Sequence, residues 1–288
     1  FGTDNNTGNR SWLDFPFLPI NIQPAEICKI TYIAIMASVM ASHQNRPSNL
    51  FSVGHMVFHL AIVAGANWVI SGDLGVSTIF VASFVIMAFA GGVHLGWFGL
   101  AGGAVAAIAP YAWNNILTER QKNRFRVLWN PKIDPLGLDE RYQAFRSQLS
   151  LNGGGWLGQG LFNGNRTQTG ALPSQHTDFI FSTVCEMFGF IGGMIVVLCL
   201  LVLAVRLIWI AYRSRDVVGK LICSGIAAVI ILQTLENLWM CLAIVPVVGI
   251  TLPFVSAGGS SMLALYCLMG LGHSVYAHEK RFFFRRER

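Results

Sequence analysis

Seven stretches of this chain are each long and apolar enough to cross a lipid bilayer, and that pattern restricts the fold more than any single motif. Crossing the hydrocarbon core takes about 20 mostly apolar residues. The runs are Pro24–Ser42, Val53–Ile70, Leu74–Gly92, Leu95–Leu117, Asp178–Tyr212, Val217–Val245 and Ser260–His278. Backbone N–H and C=O groups in lipid must be satisfied within the segment, so the runs are expected to be helices. The second, third and fourth are joined by tight turns such as "SGD" and "GGVH". The expected fold is therefore an all-α polytopic membrane protein with seven transmembrane helices, read as a single domain over residues 1–288. Only 12% of residues are charged, about half the share of a soluble domain. That argues against a separate soluble module or a nucleic-acid partner. The six cysteines all fall in apolar runs without CxxC spacing, which reads as packing, not as disulfides or a zinc site. The chain opens at Phe1 with no signal-peptide pattern.

Charge is concentrated in a few places. Thr118–Thr177 is the one large polar region, with eight Lys/Arg (120, 122, 124, 126, 132, 141, 146 and 166) against four acids (119, 134, 139 and 140). The short connections after the first and fifth runs carry Arg46, and Arg213, Arg215 and Lys220, and the tail is "EKRFFFRRER". The excess of Lys and Arg in short loops marks the cytoplasmic side. Seven alternating spans put these three segments together inside, and residues 118–177 outside as a large extracellular loop. A basic loop outside is not required by topology, so it is a candidate surface for an anionic ligand.

Ionisable groups within the runs or at their edges include Glu26, Lys29, Asp73, Glu186, Arg206 and Glu236. Such residues are costly in a membrane and are functional candidates by default. Glu26 and Lys29 are three apart on one helical face, which suits a structural ion pair or a charge lining a cavity. Asp73 is placed to cap the third helix. Arg206 can snorkel to the inner boundary. His55 and His59 have i, i+4 spacing, which suits either a helix entry or two metal ligands; no third ligand is evident.

Two glycine clusters interrupt the pattern. "NGGGWLGQGLFNGN" (Asn152–Asn165) could lie close to a ligand's phosphates or be merely flexible. "PVVGITLPFVSAGGSSM" (Pro246–Met262), with two prolines at membrane depth, indicates a broken or re-entrant segment covered by protein or water. The third feature is "ALPSQHTDFIF" (Ala171–Phe181), where a polar loop enters an apolar run at Asp178. Asp178 can cap the fifth helix or act in catalysis. Glu186 follows eight residues later, about two turns deeper and roughly 80° around the helix. An acid among cations suits a general base that takes a hydroxyl proton while the cations hold a leaving diphosphate.

The chain resembles the SEDS family (shape, elongation, division and sporulation), which contains RodA, FtsW and SpoVE. The matching pieces, in the family's order, are "GNRSW" (Gly8–Trp12), "QPAEICK" (Gln23–Lys29), "GDLG" (Gly72–Gly75) and "NPKIDPLG…RYQAFRSQLSLNGGGWLGQG" (Asn130–Gly160). They continue with "LPSQHTDFIFSTVCEMFGFIGG" (Leu172–Gly193) and "PVVGITLPFVSAGGSSMLA" (Pro246–Ala264). The resemblance implies a ten-helix fold of which this chain holds the last seven, with the large external loop where residues 118–177 fall.

It further implies a peptidoglycan glycosyltransferase in the bacterial cytoplasmic membrane, polymerising lipid II at the outer face beside a class B penicillin-binding protein. Asp178 becomes the implied catalytic base of an inverting transfer that releases undecaprenyl diphosphate. Glu26, Lys29, Arg146, His176, Glu186, Ser260 and Ser261 become the implied substrate-binding set, and a divalent cation, Mg or Mn, a possible helper. Four places depart from the family pattern: Ser174-Gln175 stand for Glu-Pro, Cys185 for a second acid, Ala257 for an aromatic, and "NGGGW" for "GSGG". Two other readings remain: a lipid II flippase, although no inverted repeat is visible, and a non-catalytic scaffold for a penicillin-binding protein.

Overall fold

The structure is a computed structural model that describes residues 11–13, 21–115, 117, 119–130, 134 and 141–286, with the side chains of 120, 121 and 280–286 left aside. Parts of "GNRSW" and "NPKIDPLG", together with the last two residues of the basic tail, therefore lie outside the described residues. All regular elements among those described are helices: α1 Pro24–Ser42, α2 Leu50–Ser71, α3 Leu74–Ala90, α4 Leu95–Asn115, α5 Glu119–Trp129, α6 Tyr142–Gly154, α7 Asn165–Gln168, α8 Ile180–Arg213, α9 Val217–Cys241 and α10 Gly259–Arg286.

A helix occupies each of the seven apolar runs. Five of them, α1, α2, α4, α8 and α9, are long and apolar enough to cross a membrane, while α3 is a shorter apolar helix of 17 residues. Helix α4 contains no buried residue, as expected of an apolar helix surrounded by lipid. The chain is thus a multi-pass membrane protein. Boundaries differ from the expected ones mostly at the ends. Helix α9 stops at Cys241 instead of Val245, and the chain stays irregular as far as Gly258. Pro246 and Pro253 lie in this stretch, where a missing N–H and a fixed φ oppose helix.

The chain divides into two compact units. The first holds residues 1–97, 200–232 and 258–288, and the second residues 98–199 and 233–257. In the first, α1 packs on α2, α3 and α10. Its core includes Tyr32, whose ring meets Phe80 edge-on at 5.1 Å and whose hydroxyl donates to the Phe80 carbonyl at 3.2 Å.

In the second unit the controlling feature is a break in α8. Gly189 has φ 69° and ψ −169°, so the helix is interrupted there. The glycine-rich stretch fills the interruption. Gln159 and Gly160 donate N–H bonds to the Glu186 and Met187 carbonyls at 2.9 and 3.0 Å, and Phe190 and Ile191 donate to the Gly155 and Trp156 carbonyls at 2.8 and 3.3 Å. Residues 153–160 thus supply the backbone partners that an intact helix would supply itself. This packing accounts for the glycines, where the sequence also suggested a close approach to a ligand's phosphates. A Cβ at Gly154 would overlap the Cys185 carbonyl oxygen, and one at Gly158 would overlap Met187. Because the obstruction is backbone, Gly154→Ala is expected to cost about 1–3 kcal/mol or more. A lowered unfolding temperature and reduced folded yield in detergent would show it; a wild-type melting curve would contradict it.

Candidate functional site

The stretch that carries Asp178 is held by its backbone. Leu172 is buried, and Ser174 adopts a left-handed φ of 51° that turns the chain. The Ser174 carbonyl accepts from the N–H groups of Thr177 and Phe179 at 3.1 and 3.2 Å and from the Thr177 hydroxyl at 3.3 Å. This turn is the physical role of a position that departs from the family pattern. It also places Asp178 two residues before the first residue of α8, ahead of the helix instead of at its start.

Three successive carbonyls that follow are then each held by a different donor. The His176 carbonyl accepts from the Ala257 N–H at 2.8 Å, the Thr177 carbonyl from the Ser256 hydroxyl at 2.6 Å, and the Asp178 carbonyl from the Asn237 amide at 2.7 Å. The same Asn237 amide also donates to the Ile250 carbonyl at 2.7 Å, and the Ser256 oxygen accepts from the Leu252 N–H at 2.7 Å. Asn237 is fully buried and Ser256 nearly so. The irregular segment after α9 is therefore a clamp on residues 176–178. The Asp178 side chain is half-buried. Gly249, with φ +72°, is a neighbour: a Cβ there would sit 3.6 Å from the Asp178 Oδ2, an ordinary contact. The left-handed backbone favours glycine at that position.

The remaining candidates of this unit have distinct surroundings. His176 is exposed, with its Nε2 3.3 Å from the Gln175 side-chain amide. Arg146 on α6 stacks its guanidinium over the Tyr142 ring at 5.3 Å. Glu186 is fully buried; its carboxylate accepts from the Arg166 N–H and the Thr167 hydroxyl, both at 2.8 Å. It therefore anchors α7 at the α8 break, with both of its oxygens meeting the loop. Nearby, Ser147 of α6 contacts the Ser182 hydroxyl at 2.6 Å and donates to the Cys241 carbonyl at 2.8 Å, joining α6, α8 and α9. Three of the loop cations are engaged locally: Lys122 and Arg126 pair with Glu119 at 2.8 and 3.2 Å, and Arg166 donates to the Leu149 carbonyl at 2.9 Å.

In the first unit Glu26 and Lys29 form the ion pair that their spacing suggested, at 2.7 Å, with both side chains at most 5% exposed. Asp73 caps α3 by accepting from the Val76 N–H at 3.1 Å, and the Gln23 amide reaches its other oxygen at 3.5 Å. Burial pushes the Asp73 carboxyl above its usual range; the Val76 N–H and the Lys29 ammonium act against that, and Glu26 adds to it. Ser260 and Ser261 are buried in the first turn of α10. His55 accepts or donates at both nitrogens, 2.9 Å from His43 Nε2 and 3.2 Å from His59 Nε2, so the i, i+4 pair is part of a chain of three rings. Arg206 lies over the Trp209 and Tyr276 rings at 4.4 and 5.4 Å.

Reading the sequence missed Asn237, Ser256 and Gly249. Asn237 left a usable signal, a second polar residue beside Glu236 inside an apolar run. Ser256 and Gly249 left none, because their importance depends on which distant backbone they meet.

A multi-pass helical protein with a clamped acid just ahead of an apolar helix is the class these observations define. The chain belongs to the FtsW/RodA/SpoVE family of cell cycle proteins, whose family model matches residues 2–281. It is 31% identical to the peptidoglycan glycosyltransferase MrdB of Escherichia coli K12, over 95% of this chain and 72% of that protein. It is 35% identical to stage V sporulation protein E of Bacillus subtilis, over 92% and 70%. Among solved structures it matches one described as coordinating polymerisation and crosslinking in a peptidoglycan synthase complex, with TM-score 0.74, 28% identity, and 98% and 76% of the two chains covered. The rod shape determining protein RodA of Thermus thermophilus shares the fold at TM-score 0.64 and 23% identity, over 94% of this chain and 70% of that one.

Proposed function

We propose that this chain, a peptidoglycan glycosyltransferase by family, polymerises lipid II into glycan strands at the outer face of the cytoplasmic membrane, with Asp178 as its general base. The observation that carries the reading is the clamp on the 176, 177 and 178 carbonyls by Ala257, Ser256 and Asn237. A base is effective only when its carboxylate is held within hydrogen-bond reach of the proton it removes. Fixing three consecutive carbonyls holds the backbone from which the Asp178 side chain projects.

In the proposed step the Asp178 carboxylate takes the proton from the acceptor sugar's 4-hydroxyl as that oxygen attacks the donor's anomeric carbon. The bond from that carbon to the diphosphate oxygen breaks with inversion, and undecaprenyl diphosphate departs with the electron pair. Positive groups such as Lys29 and Arg146 are the candidates for stabilising the developing negative charge, with His176, Ser260, Ser261 and Glu26 completing the proposed substrate contacts. Glu186 would act indirectly, by holding α7. The residues present do not fit a resident metal centre: among the described residues no group of three His, Cys, Asp or Glu side chains is arranged to hold an ion, the His43–His55–His59 chain included. A divalent cation would arrive with the diphosphate, and no step here depends on one.

The proposed topology has seven spans, with residues 118–177 and the 242–258 segment outside and the basic tail inside, because the short connections carry the Lys and Arg excess. The proposed partner is a class B penicillin-binding protein, in keeping with the polymerising and crosslinking complex that shares this fold. Purified protein with such a partner and labelled lipid II should yield a ladder of glycan polymer. Movement of labelled lipid across liposomes with no polymer would replace this reading with a flippase. No product and no movement, with the partner active, would leave a scaffold.

A further inference from the structure

The glycine-rich turn that fills the α8 break carries an apolar surface. Trp156, Leu157, Leu161 and Phe162 are 73, 78, 54 and 70% exposed, in a segment otherwise made of glycine and amide residues. Phe162 holds a left-handed φ of 60°, which is uncommon for a bulky residue. Beside this turn, Phe188, Phe190 and Ile191 of α8 are about half exposed, and the Trp156 ring meets Phe190 edge-on at 5.3 Å. The four backbone bonds across the break leave the paired N–H and carbonyl groups satisfied, a condition for irregular backbone near hydrocarbon.

This surface continues along α8 into the exposed apolar strip of Met194, Ile195, Leu198, Leu201, Val202 and Val205. That helix is the most apolar of the candidate spans, and an exposed apolar strip on such a helix suits contact with lipid. Toward the C-terminal end of α8, Trp209 lies between the Arg206 and Arg213 guanidinium groups at 4.4 and 4.3 Å. Aromatic and basic residues combined in this way mark a membrane–water boundary. The sequence of α8 is uncharged and predominantly apolar from residue 187 to residue 205, about the 20 residues needed to cross the hydrocarbon core, and Phe190 stands near the start of that stretch. Trp156 and Phe190 therefore fall at the opposite boundary.

The geometry points to a lipid-binding surface: residues 156–162 form a wedge seated among the headgroups and upper acyl segments of the leaflet at the N-terminal end of α8. Its partner is membrane lipid, and the apolar side chains of the turn are what insert. The wedge holds the α8 break, and with it the loop that Glu186 anchors, at a set depth in the membrane. This inference stands whether or not Asp178 is the base.

The test places an environment-sensitive fluorophore at Leu157→Cys in the full chain, with the exposed cysteines Cys28, Cys199 and Cys267 changed to serine. Gln168→Cys, on the exposed side of the same loop, is the aqueous control, and Phe162→Cys repeats the measurement should Leu157→Cys fold poorly. The protein is reconstituted in phosphatidylethanolamine–phosphatidylglycerol vesicles. Lipids with a nitroxide high on the acyl chain should quench the label at 157 strongly, while aqueous iodide should quench it several-fold less than the label at 168. Equal iodide quenching at 157 and 168 would overturn the proposal. So would shielding of the 157 label from both quenchers, which would mean that protein covers the patch.

Discussion

Asp178→Asn is expected to reduce polymer formation from lipid II by about 100- to 10,000-fold, the usual contribution of a positioned general base. The amide has nearly the carboxylate's shape but cannot take a proton. The bonds that hold this segment go to the backbone carbonyls of 176, 177 and 178, so the substitution should leave the clamp intact. The melting temperature and partner binding should stay close to wild type. Asp178→Glu keeps the charge but moves it by one methylene, and should recover only part of the activity, since small misplacements are costly once geometry is fixed. Polymerisation by the Asn variant at the wild-type rate would remove Asp178 from the chemistry. Inactivity accompanied by a large drop in melting temperature would point to a folding role instead.

The second large effect is expected at Glu26 and Lys29. Both charges are almost fully removed from solvent and lie 2.7 Å apart. Removing one member of a buried pair strands the other and costs about 3–5 kcal/mol, whereas replacing both with apolar residues costs far less. The cost should also be unequal. Lys29 acts electrostatically on Asp73 as well as Glu26, so Lys29→Met leaves two buried acids without their cation. Glu26→Gln leaves Lys29 with Asp73 within electrostatic reach. Thermal unfolding in detergent should rank Lys29→Met as the least stable, Glu26→Gln next, and the double variant Glu26→Leu/Lys29→Met above Lys29→Met alone. A double variant less stable than both single ones would contradict this account. If the pair also serves the proposed reaction, the double variant would be stable but inactive.

Much of this was legible along the chain. The helices fall where the apolar runs predicted because hydropathy and helix are both local properties. The Glu26–Lys29 pair and the Asp73 cap follow from spacing within four residues on one element. The left-handed turn at Ser174 was not predictable, since only glycine and, less often, Asn or Asp signal that conformation. Glu186 was identified as a buried acid, yet its partners, Arg166 and Thr167, lie 20 and 19 residues upstream in a loop with no periodicity. The glycines of residues 153–160 gave an ambiguous signal, since close approach to a ligand and close approach to a neighbouring backbone both require the absence of a Cβ.

By itself the sequence determined that this is a multi-pass helical membrane protein of the FtsW/RodA/SpoVE family with an acid at the mouth of an apolar helix. Those conclusions rest on composition, period and ordered motifs, which are read within a few tens of residues. Only the tertiary structure decided what holds that acid and what the glycines serve. Asn237 and Ser256 reach the 176–178 segment across 59 and 79 residues, and the α8 break borrows its hydrogen-bond partners from a loop some 30 residues earlier. Such pairings depend on which unsatisfied backbone groups meet after the helices pack, and no local pattern encodes that meeting.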